Sequence, residues 1–336
     1  MLSNKNRTTY VVEHKNRQIK LDSSSGGVFS LLAEYVLEQN GAVVGAAYSK
    51  QMECRHYIIK NKEELYKLRG SKYVQSSLYN VYDEIIKLLL NNEMVLFCGT
   101  PCQVDAIKSV CIAKSISMNK LILVDLICHG VQSPRVFKDY LIEVQRDGNK
   151  IIDYKFRSKR NGWHSHTEDI IYDEVKKETR KEKWLKYSWL TLFGSYHIYR
   201  DSCTVCPYCS LDRVSDITIG DAWGIENISP EIDDNTGLSL VLLNTEKGAE
   251  VFKCVQNNAN VYEYDIELLL QPRINNIPCP KPKDKEEFWK LYNEKGFICA
   301  IKKYGGYNFG EHFLYYVKIF LRKCGITKYI KKLMRK

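Results

Sequence analysis

Three cysteines separated by two-residue gaps are the residues of this sequence whose types and spacing point most directly to chemistry. They are Cys203, Cys206 and Cys209, in the run CTVCPYC. Such gaps let consecutive thiolates converge from one tight loop on a single centre, and Pro207 restricts the backbone there. Iron–sulfur clusters and tetrahedral zinc ions both use thiolate sets of this kind. The spacing therefore predicts a metal centre and leaves iron and zinc open.

A fourth ligand for this centre must come from another part of the chain. In a bacterial ferredoxin run a fourth cysteine follows after three further residues, and here that position is Arg213. Cys128, which follows a strand-like run, is the preferred candidate because a strand end and a glycine can aim a ligand at a site. Cys102, at a strand-to-helix turn, is the alternative, and His129 could complete a zinc site. Of the twelve cysteines, those that stand alone, such as Cys279, are expected to be ordinary buried side chains.

Three short segments have the composition of anion sites. Residues 22–27 (DSSSGG) open a helix, where hydroxyls and unpaired backbone N–H groups attract anions. Residues 69–76 (RGSKYVQS) combine two cations with hydroxyls and an amide, and residues 99–103 (GTPCQ) begin a helix directly after a strand. An ordinary helix cap or a polar loop explains each segment equally simply, so composition alone does not assign a ligand.

Two further segments combine charged, aromatic and turn residues. Residues 156–164 (FRSKRNGWH) could receive an anionic substrate or form a basic hairpin. Residues 220–224 (GDAWG) follow the three cysteines and a strand, and they predict a tight turn near the ligand sites described above. No catalytic side chain can be assigned, since nucleophile-elbow, HExxH, kinase and paired-carboxylate motifs are all absent from the sequence.

The elements that must position these residues alternate between strand and helix in the first half of the chain. Apolar runs at 42–47, 94–97 and 121–127 predict strands, and residues 26–40, 78–90, 101–110 and 134–145 show helical periodicity. Beyond residue 148, short strands at 151–156 and 168–175 predict an antiparallel region. The pattern indicates an α/β (mixed α+β) fold: a mixed sheet core with flanking helices, an antiparallel insertion and a C-terminal helical tail. Predicted boundaries divide the chain into residues 1–148, 149–271 and 272–336, the last being a Pro-rich linker and basic tail.

Charge and hydropathy limit the partners and the location. The formal net charge is +10, but residues 318–336 contain eight Lys/Arg and no acid, so the remainder is nearly neutral. This distribution argues against a nucleic-acid groove. The first ten residues lack the apolar core of a signal peptide, and no apolar run reaches the roughly 18 residues of a membrane span. We expect a cytoplasmic protein whose basic tail, residues 312–336, either lies on the inner face of the membrane or packs on the body.

Six motifs in order resemble those of one family. They are SGG at 25–27, GSKYVQS at 70–76, GTPCQ at 99–103, CHG at 128–130, CTVCPYC at 203–209 and GDAWG at 220–224. The chain thereby resembles the coenzyme F(420) hydrogenase/dehydrogenase beta-subunit family, over roughly residues 20 to 260. The resemblance implies a 4Fe-4S cluster on Cys128, Cys203, Cys206 and Cys209, with Cys102 as the alternative fourth ligand. It also implies FAD in the first part of the chain, held by Ser24, Ser25, Gly26, Gly27, Gly70, Ser71, Lys72, Tyr73, Gln75, Ser76, Gly99, Thr100, Pro101 and Gln103.

The activity implied by the resemblance is electron transfer between the cluster and a two-electron acceptor through FAD. Many members of the family carry a ferredoxin module before the SGG motif, whereas here only some twenty residues, with no cysteine, precede it. Either the module is missing or the true start lies upstream, and we expect electrons to be exchanged with a separate ferredoxin-like partner. Short bacterial relatives suggest a small-molecule or lipid-linked sugar substrate in cell-surface polysaccharide biosynthesis. The alternatives are a non-enzymatic electron-transfer or scaffold subunit of a glycan-synthesis assembly, and a zinc-bearing binding protein.

Overall fold

Ten strands in the described part of the chain form the framework. The computed structural model describes residues 8–145, 149–165, 167–173, 189–304 and 317. The strands are β1 (Thr9–His14), β2 (Ala42–Tyr48), β3 (Cys54–Ile59), β4 (Val95–Gly99), β5 (Leu121–Leu126), β6 (Ile151–Ser158), β7 (Thr167–Tyr172), β8 (Ile217–Asp221), β9 (Ser239–Leu243) and β10 (Ala259–Tyr264).

Eight of these strands make one mixed sheet in the order β10-β1-β9-β8-β5-β4-β2-β3. The four central strands β8, β5, β4 and β2 run parallel to one another. The strands on either side, β9, β1 and β10 at one edge and β3 at the other, pair antiparallel. The carboxyl ends of the parallel strands consequently meet at one edge of the sheet, where α/β folds place their ligands.

Ten α-helices surround the sheet in the described part of the chain. They are α1 (Arg17–Asp22), α2 (Val28–Glu38), α3 (Leu65–Leu68), α4 (Val81–Leu90), α5 (Pro101–Ala113), α6 (Pro134–Val144), α7 (Trp189–Ser195), α8 (Ile225–Ile228), α9 (Glu246–Val255) and α10 (Lys285–Tyr304), the last interrupted at Gly296. Proline at the first position of α5 and α6 suits the helix start, because its missing N–H would have no helical partner there.

The sheet is buried on both faces. Val43 and Leu96 belong to a core with α2 and α9, whereas Val44 and Phe97 belong to a separate core with α4 and α5. Successive side chains of a strand point to opposite faces, so these neighbouring residues enter different cores. The central arrangement is a three-layer helix–sheet–helix unit.

The antiparallel insertion is the two-stranded sheet of β6 and β7. It packs with α6, α7 and α10 in a further core, separate from the two cores of the main sheet, that contains Tyr140, Trp189 and Phe297. The predicted α/β class, the mixed sheet and the antiparallel insertion are therefore confirmed, and α10 is the C-terminal helix of the described chain.

The domain boundaries at residues 148 and 271 stay predictions. Strands from both predicted parts share the main sheet: β2, β4 and β5 come from the first and β8, β9 and β10 from the second. The predicted basic helix over residues 312–336 lies outside the described residues, apart from residue 317. No helix in the described ranges is both long and apolar enough to cross a bilayer.

Candidate functional site

A cavity of about 500 Å³ opens at the carboxyl ends of the parallel strands. Gly99 and Thr100 reach it from β4, Cys128 from the loop after β5, and Gly220 and Asp221 from β8. A volume of this size lies within the usual range for small-molecule and cofactor sites. The topology of the sheet thus explains where the ligand site lies.

Most of the predicted cofactor residues line this cavity. They come from three segments distant in sequence and are Ser24, Ser25, Gly27, Gly70, Ser71, Lys72, Tyr73, Ser76, Gly99, Thr100 and Gln103. The fold therefore brings the three predicted anion segments to one site.

Hydrogen bonds tie the three segments to one another. The Ser24 Oγ accepts from the Ser71 backbone N–H at 2.7 Å, which joins the first segment to the second. The Gln103 Nε2 donates to the Ser76 Oγ at 3.0 Å, which joins the third segment to the second. The Gln103 Oε1 also accepts from the Thr100 N–H at 3.0 Å, as in a capping box. The cavity wall is thus a connected network.

Three of the predicted cofactor residues do not line the cavity. Gly26 lies against the neighbouring strand, where an added Cβ would be 2.1 Å from the Val12 carbonyl oxygen. Pro101 is buried at the first turn of α5. The Gln75 backbone N–H donates to the Gln132 carbonyl at 3.1 Å. In this structure these residues shape the segments that carry the lining residues.

The cavity is cationic. Among its described lining residues are Arg69, Lys72, Arg157 and one carboxylate, Asp221. Burial lowers the pKa of Lys72 to about 8, so its ammonium loses a proton more readily than that of an exposed lysine but remains mostly charged at pH 7. Beside the cavity, the Lys159 Nζ donates to the Ser25 carbonyl at 2.5 Å, and burial lowers its pKa to about 7. An anionic ligand would stabilise the charged form of these amines.

The predicted cationic segment, residues 156–164, and the predicted turn, residues 220–224, pack against each other at the cavity. Trp163 and Trp223 stack with ring centroids 4.5 Å apart and planes inclined by 6°. The Arg157 guanidinium lies 4.8 Å above the Trp223 ring and donates to Asp221 at 3.0 Å. The Trp163 Nε1 donates to the other Asp221 oxygen at 3.1 Å. Arg157 is buried and Asp221 is partly buried, and both make further hydrogen bonds to Trp163, so the ion pair holds the two segments together.

Sequence reasoning missed several cavity residues, among them His56, Phe193 and Gln271. His56 lies on β3 and its Nε2 contacts the Cys98 carbonyl at 3.1 Å. Its Nδ1 has no hydrogen-bond partner among the described residues, and burial lowers its pKa to about 4. An isolated histidine in an apolar run gives no spacing signal, so only the fold shows that it reaches the site.

The predicted thiols lie beside the cavity. Cys203 belongs to a 3₁₀ turn at Asp201–Val205, and Cys206 and Cys209 follow it directly. Burial raises the pKa of Cys128, and the nearby thiols Cys102, Cys203 and Cys206 raise it further. Burial, together with the neighbouring Cys206 thiol, raises the pKa of Cys209 to about 12. Cys128 is thus next to the trio and at the same time lines the cavity.

Two family models match this chain, and both describe the beta subunit of coenzyme F420 hydrogenase/dehydrogenase. The model of its C-terminal part matches residues 92–267, more than half of the chain. The model of its N-terminal part matches residues 9–82. The chain belongs to this family. Membership places it among the beta subunits of redox enzymes, a family associated with flavin and iron–sulfur cofactors.

A solved structure shares the fold. It is described as "Xenon derivatization of the F420-reducing [NiFe] hydrogenase complex from Methanosarcina barkeri" and aligns with a TM-score of 0.51 at 17% identity. The alignment covers 88% of this chain and 90% of the other. At this identity the likeness shows the fold alone. No curated protein matches the sequence.

Arg213 anchors the loop that carries the three cysteines, residues 203–209. The guanidinium forms a buried ion pair with Asp125 at 2.9 Å and donates to the Leu126 carbonyl at 3.0 Å. It also donates to the Tyr208 carbonyl within the loop at 2.8 Å. The residue at the position of a ferredoxin's fourth cysteine therefore fastens the loop to the end of β5.

The predicted ligand thiols of this family member lie near one another. Among the residues that the structure describes, no three His, Cys, Asp or Glu side chains are arranged so that they could already hold a metal ion. The donor set nevertheless fits a thiophilic centre, because Cys128, Cys203, Cys206 and Cys209 approach one another from two loops. Cys102 is exposed and lies near Cys128 and Cys203.

Proposed function

We propose that this chain is a flavin- and iron–sulfur-dependent oxidoreductase that passes electrons between an iron–sulfur cluster and a two-electron acceptor. One observation carries the proposal: Cys128 lines the cavity between the three predicted segments and also neighbours the thiols of Cys203 and Cys206. A single residue therefore belongs to both sites. When bound, FAD supplies two-electron chemistry and a 4Fe-4S cluster supplies one-electron chemistry.

The residues of the cavity are suited to holding FAD. α2 begins at Val28, and its first backbone N–H groups, together with the Ser24 hydroxyl, favour a phosphate, whereas the Ser25 hydroxyl donates to the Leu238 carbonyl and fixes the turn. Arg69 and Lys72 add positive charge to the same wall. In the cavity wall, Trp223 and the Arg157–Asp221 pair, held in place by Trp163 behind them, provide a fixed surface beside which a planar ring can lie.

The thiols are suited to holding the cluster. Cys203, Cys206 and Cys209 supply three ligands from one loop, and Cys128 supplies the fourth from the end of β5. We place Cys128 before Cys102 because only Cys128 is also in the cavity wall. The Gly130 N–H contacts the Cys128 Sγ at 3.4 Å, and such N–H groups stabilise a thiolate.

The partner and the substrate belong to the same proposal. The structural neighbour is described as a hydrogenase complex, which supports a protein partner for this chain too, and we propose a ferredoxin-like electron carrier. The proposed substrate is a sugar or lipid-linked sugar of cell-surface polysaccharide synthesis. The proposed location is the cytoplasm, with contact to the inner face of the membrane through the basic tail.

The decisive experiment is anaerobic purification followed by cofactor analysis. We expect flavin, iron and sulfide in stoichiometric amounts, and release of FAD on denaturation. Cys128→Ser should lose iron, whereas the control Cys299→Ser, which removes an exposed thiol from α10, should retain it. Zinc in place of iron, with no flavin, would show a zinc-binding protein instead. Full cofactors without turnover by reduced ferredoxin would show an electron-transfer subunit.

A further inference from the structure

The segment after residue 271 crosses the cysteine site as a strap, defined here as residues 272–283. Within it Arg273 and Cys279 are buried. The Asn276 backbone N–H donates to the Cys209 carbonyl at 2.5 Å, and the Arg273 Nη1 donates to the Ile277 carbonyl at 2.6 Å. The strap is thereby fastened to the loop that carries the three cysteines.

The same strap contacts the loop that carries Cys128. The Cys279 Sγ lies 2.6 Å from the His129 carbonyl oxygen. Gly130 has φ +98°, and a Cβ built there would lie 2.7 Å from the Cys279 Sγ. The sulfur is therefore packed directly against residues 128–130.

This contact gives Cys279 a direct link to the loop that carries Cys128. A carbonyl oxygen only accepts hydrogen bonds, so the Cys279 S–H group donates to the His129 carbonyl. The sulfur is also near the thiols of Cys203 and Cys206, and the iron content of Cys279→Ser distinguishes a positioning role from a ligand role. Cys279 also lies beyond the residues that the family description matches, which end at residue 267.

We propose that Cys279 is a positioning residue, whose S–H group holds the 128–130 loop so that the Cys128 sulfur faces the other three thiols. The inference rests on the proposed function, since the geometry that it maintains is that of the proposed cluster site. Groups around metal ligands commonly orient them and tune the metal in this way. In this protein the orienting group comes from the strap, distant in sequence from both ligand loops.

The first test uses the metal-free full-length chain and therefore does not depend on a cluster. Iodoacetamide alkylation of Cys128, followed by peptide mass spectrometry, reports how often the loop opens. Cys279→Val keeps an apolar side chain of similar size without a donor, and losing the hydrogen bond should speed alkylation about tenfold. Cys279→Ser restores a donor and should return the rate toward that of the wild type. Cys111→Ala, which removes a buried thiol from α5, is the control and should leave the rate unchanged.

The second test uses the iron-loaded protein. Cys279→Val should retain iron, lose it to a chelator about tenfold faster, and change the electron paramagnetic resonance signal of the reduced protein. Cys279→Ser should restore both readouts. Iron loss from Cys279→Ser as complete as from Cys128→Ser would make Cys279 a ligand and overturn the proposal.

The two tests keep the inference apart from the proposed function. Wild-type protein without iron would contradict the proposed function, while the alkylation rates would still decide the role of the strap. Equal alkylation rates in the wild type, Cys279→Val and Cys279→Ser would overturn the inference even if iron is present. If Cys279→Val fails to fold, Cys279→Ala supplies the donor-free comparison.

Discussion

At the scale of single residues, His56 shows how the fold changes the chemistry of a side chain. The ring is 5% exposed and stacks on Phe97 with centroids 5.4 Å apart. Because its Nε2 faces the Cys98 carbonyl, that nitrogen carries the proton and Nδ1 remains a lone-pair acceptor. The site therefore contains a neutral imidazole at physiological pH.

Burial of His56 predicts a loss of stability in acid. Its pKa falls from 6.5 to about 4, so the unfolded chain takes up a proton in this window that the folded chain does not. The free energy of unfolding should drop as the pH falls from about 6.5 to about 4, by on the order of 3 kcal/mol from this group. His56→Phe removes this contribution and should flatten the pH dependence measured by urea unfolding. Tyr57→Phe, on the same strand, is the control, and an equal slope in all three proteins would contradict the prediction.

At the scale of elements, the turn into α2 requires two glycines, one for its backbone conformation and one for lack of space. Gly27 is the N-cap of α2 at φ +92°, a conformation that glycine adopts without strain. Gly26 has no room for a side chain, because an added Cβ would be 2.1 Å from the Val12 carbonyl oxygen and 2.7 Å from the Ser239 nitrogen. Both neighbours are backbone atoms of strands in the main sheet. The turn is therefore packed directly onto the sheet, and this places Ser24 and Ser25 at the cavity.

This close packing predicts the outcome of Gly26→Ala. The methyl group must displace β1 or the turn, which should cost about 1–3 kcal/mol of stability, the usual range for an overpacked core. The displaced turn should also bind FAD less tightly. Gly194→Ala is the matched control: the site lies in α7 with nothing within 4 Å, and alanine should stabilise the helix by about 0.5–1 kcal/mol. Thermal unfolding and flavin fluorescence titration measure both effects, and unchanged stability in Gly26→Ala would contradict the packing argument.

At the scale of the whole molecule, the cavity is lined by residues that are far apart in sequence. The three predicted segments, the turn at Gly220 and Asp221, and the insertion residue Arg157 all line it. Arg157 belongs to the two-stranded insertion and the other parts to the main sheet unit, so a bound ligand would contact both units at once. Ligand binding should consequently raise the free energy of unfolding of the main sheet unit and the insertion together.

This arrangement predicts that FAD raises the stability of flavin-free protein. By mass action, FAD at a hundred times its dissociation constant should add about 2.7 kcal/mol to the free energy of unfolding. Riboflavin lacks the phosphates that the serine and lysine wall would hold, so the same concentration should stabilise less. Thermal shift measurements across a concentration series test this. Equal stabilisation by riboflavin and FAD would contradict the assignment of the phosphate wall.

The local elements were largely determined by the sequence. The predictions of helices at 101–110 and 134–145 and of strands at 42–47 and 121–127 agree with α5, α6, β2 and β5, because proline caps and apolar periodicity are local signals. The strands β1, β3 and β10 were not predicted. β1 pairs with strands distant in sequence, and β3 and β10 are edge strands whose alternating exposed residues weaken the apolar signal. The cysteine trio and three cofactor segments were likewise visible as motifs, although their ligands stay proposals.

Only the tertiary structure decided which of these motifs meet. The sequence by itself determined that thiols, serines and cations are present at particular positions. The fold decided that Ser24 and Gln103 join their segments to residues 71–76, and that Cys128 belongs to the cavity wall. It also placed Cys279 against the Cys128 loop. The physical reason is that contacts between residues far apart in the chain follow from strand order and burial, which leave no fixed spacing in the sequence.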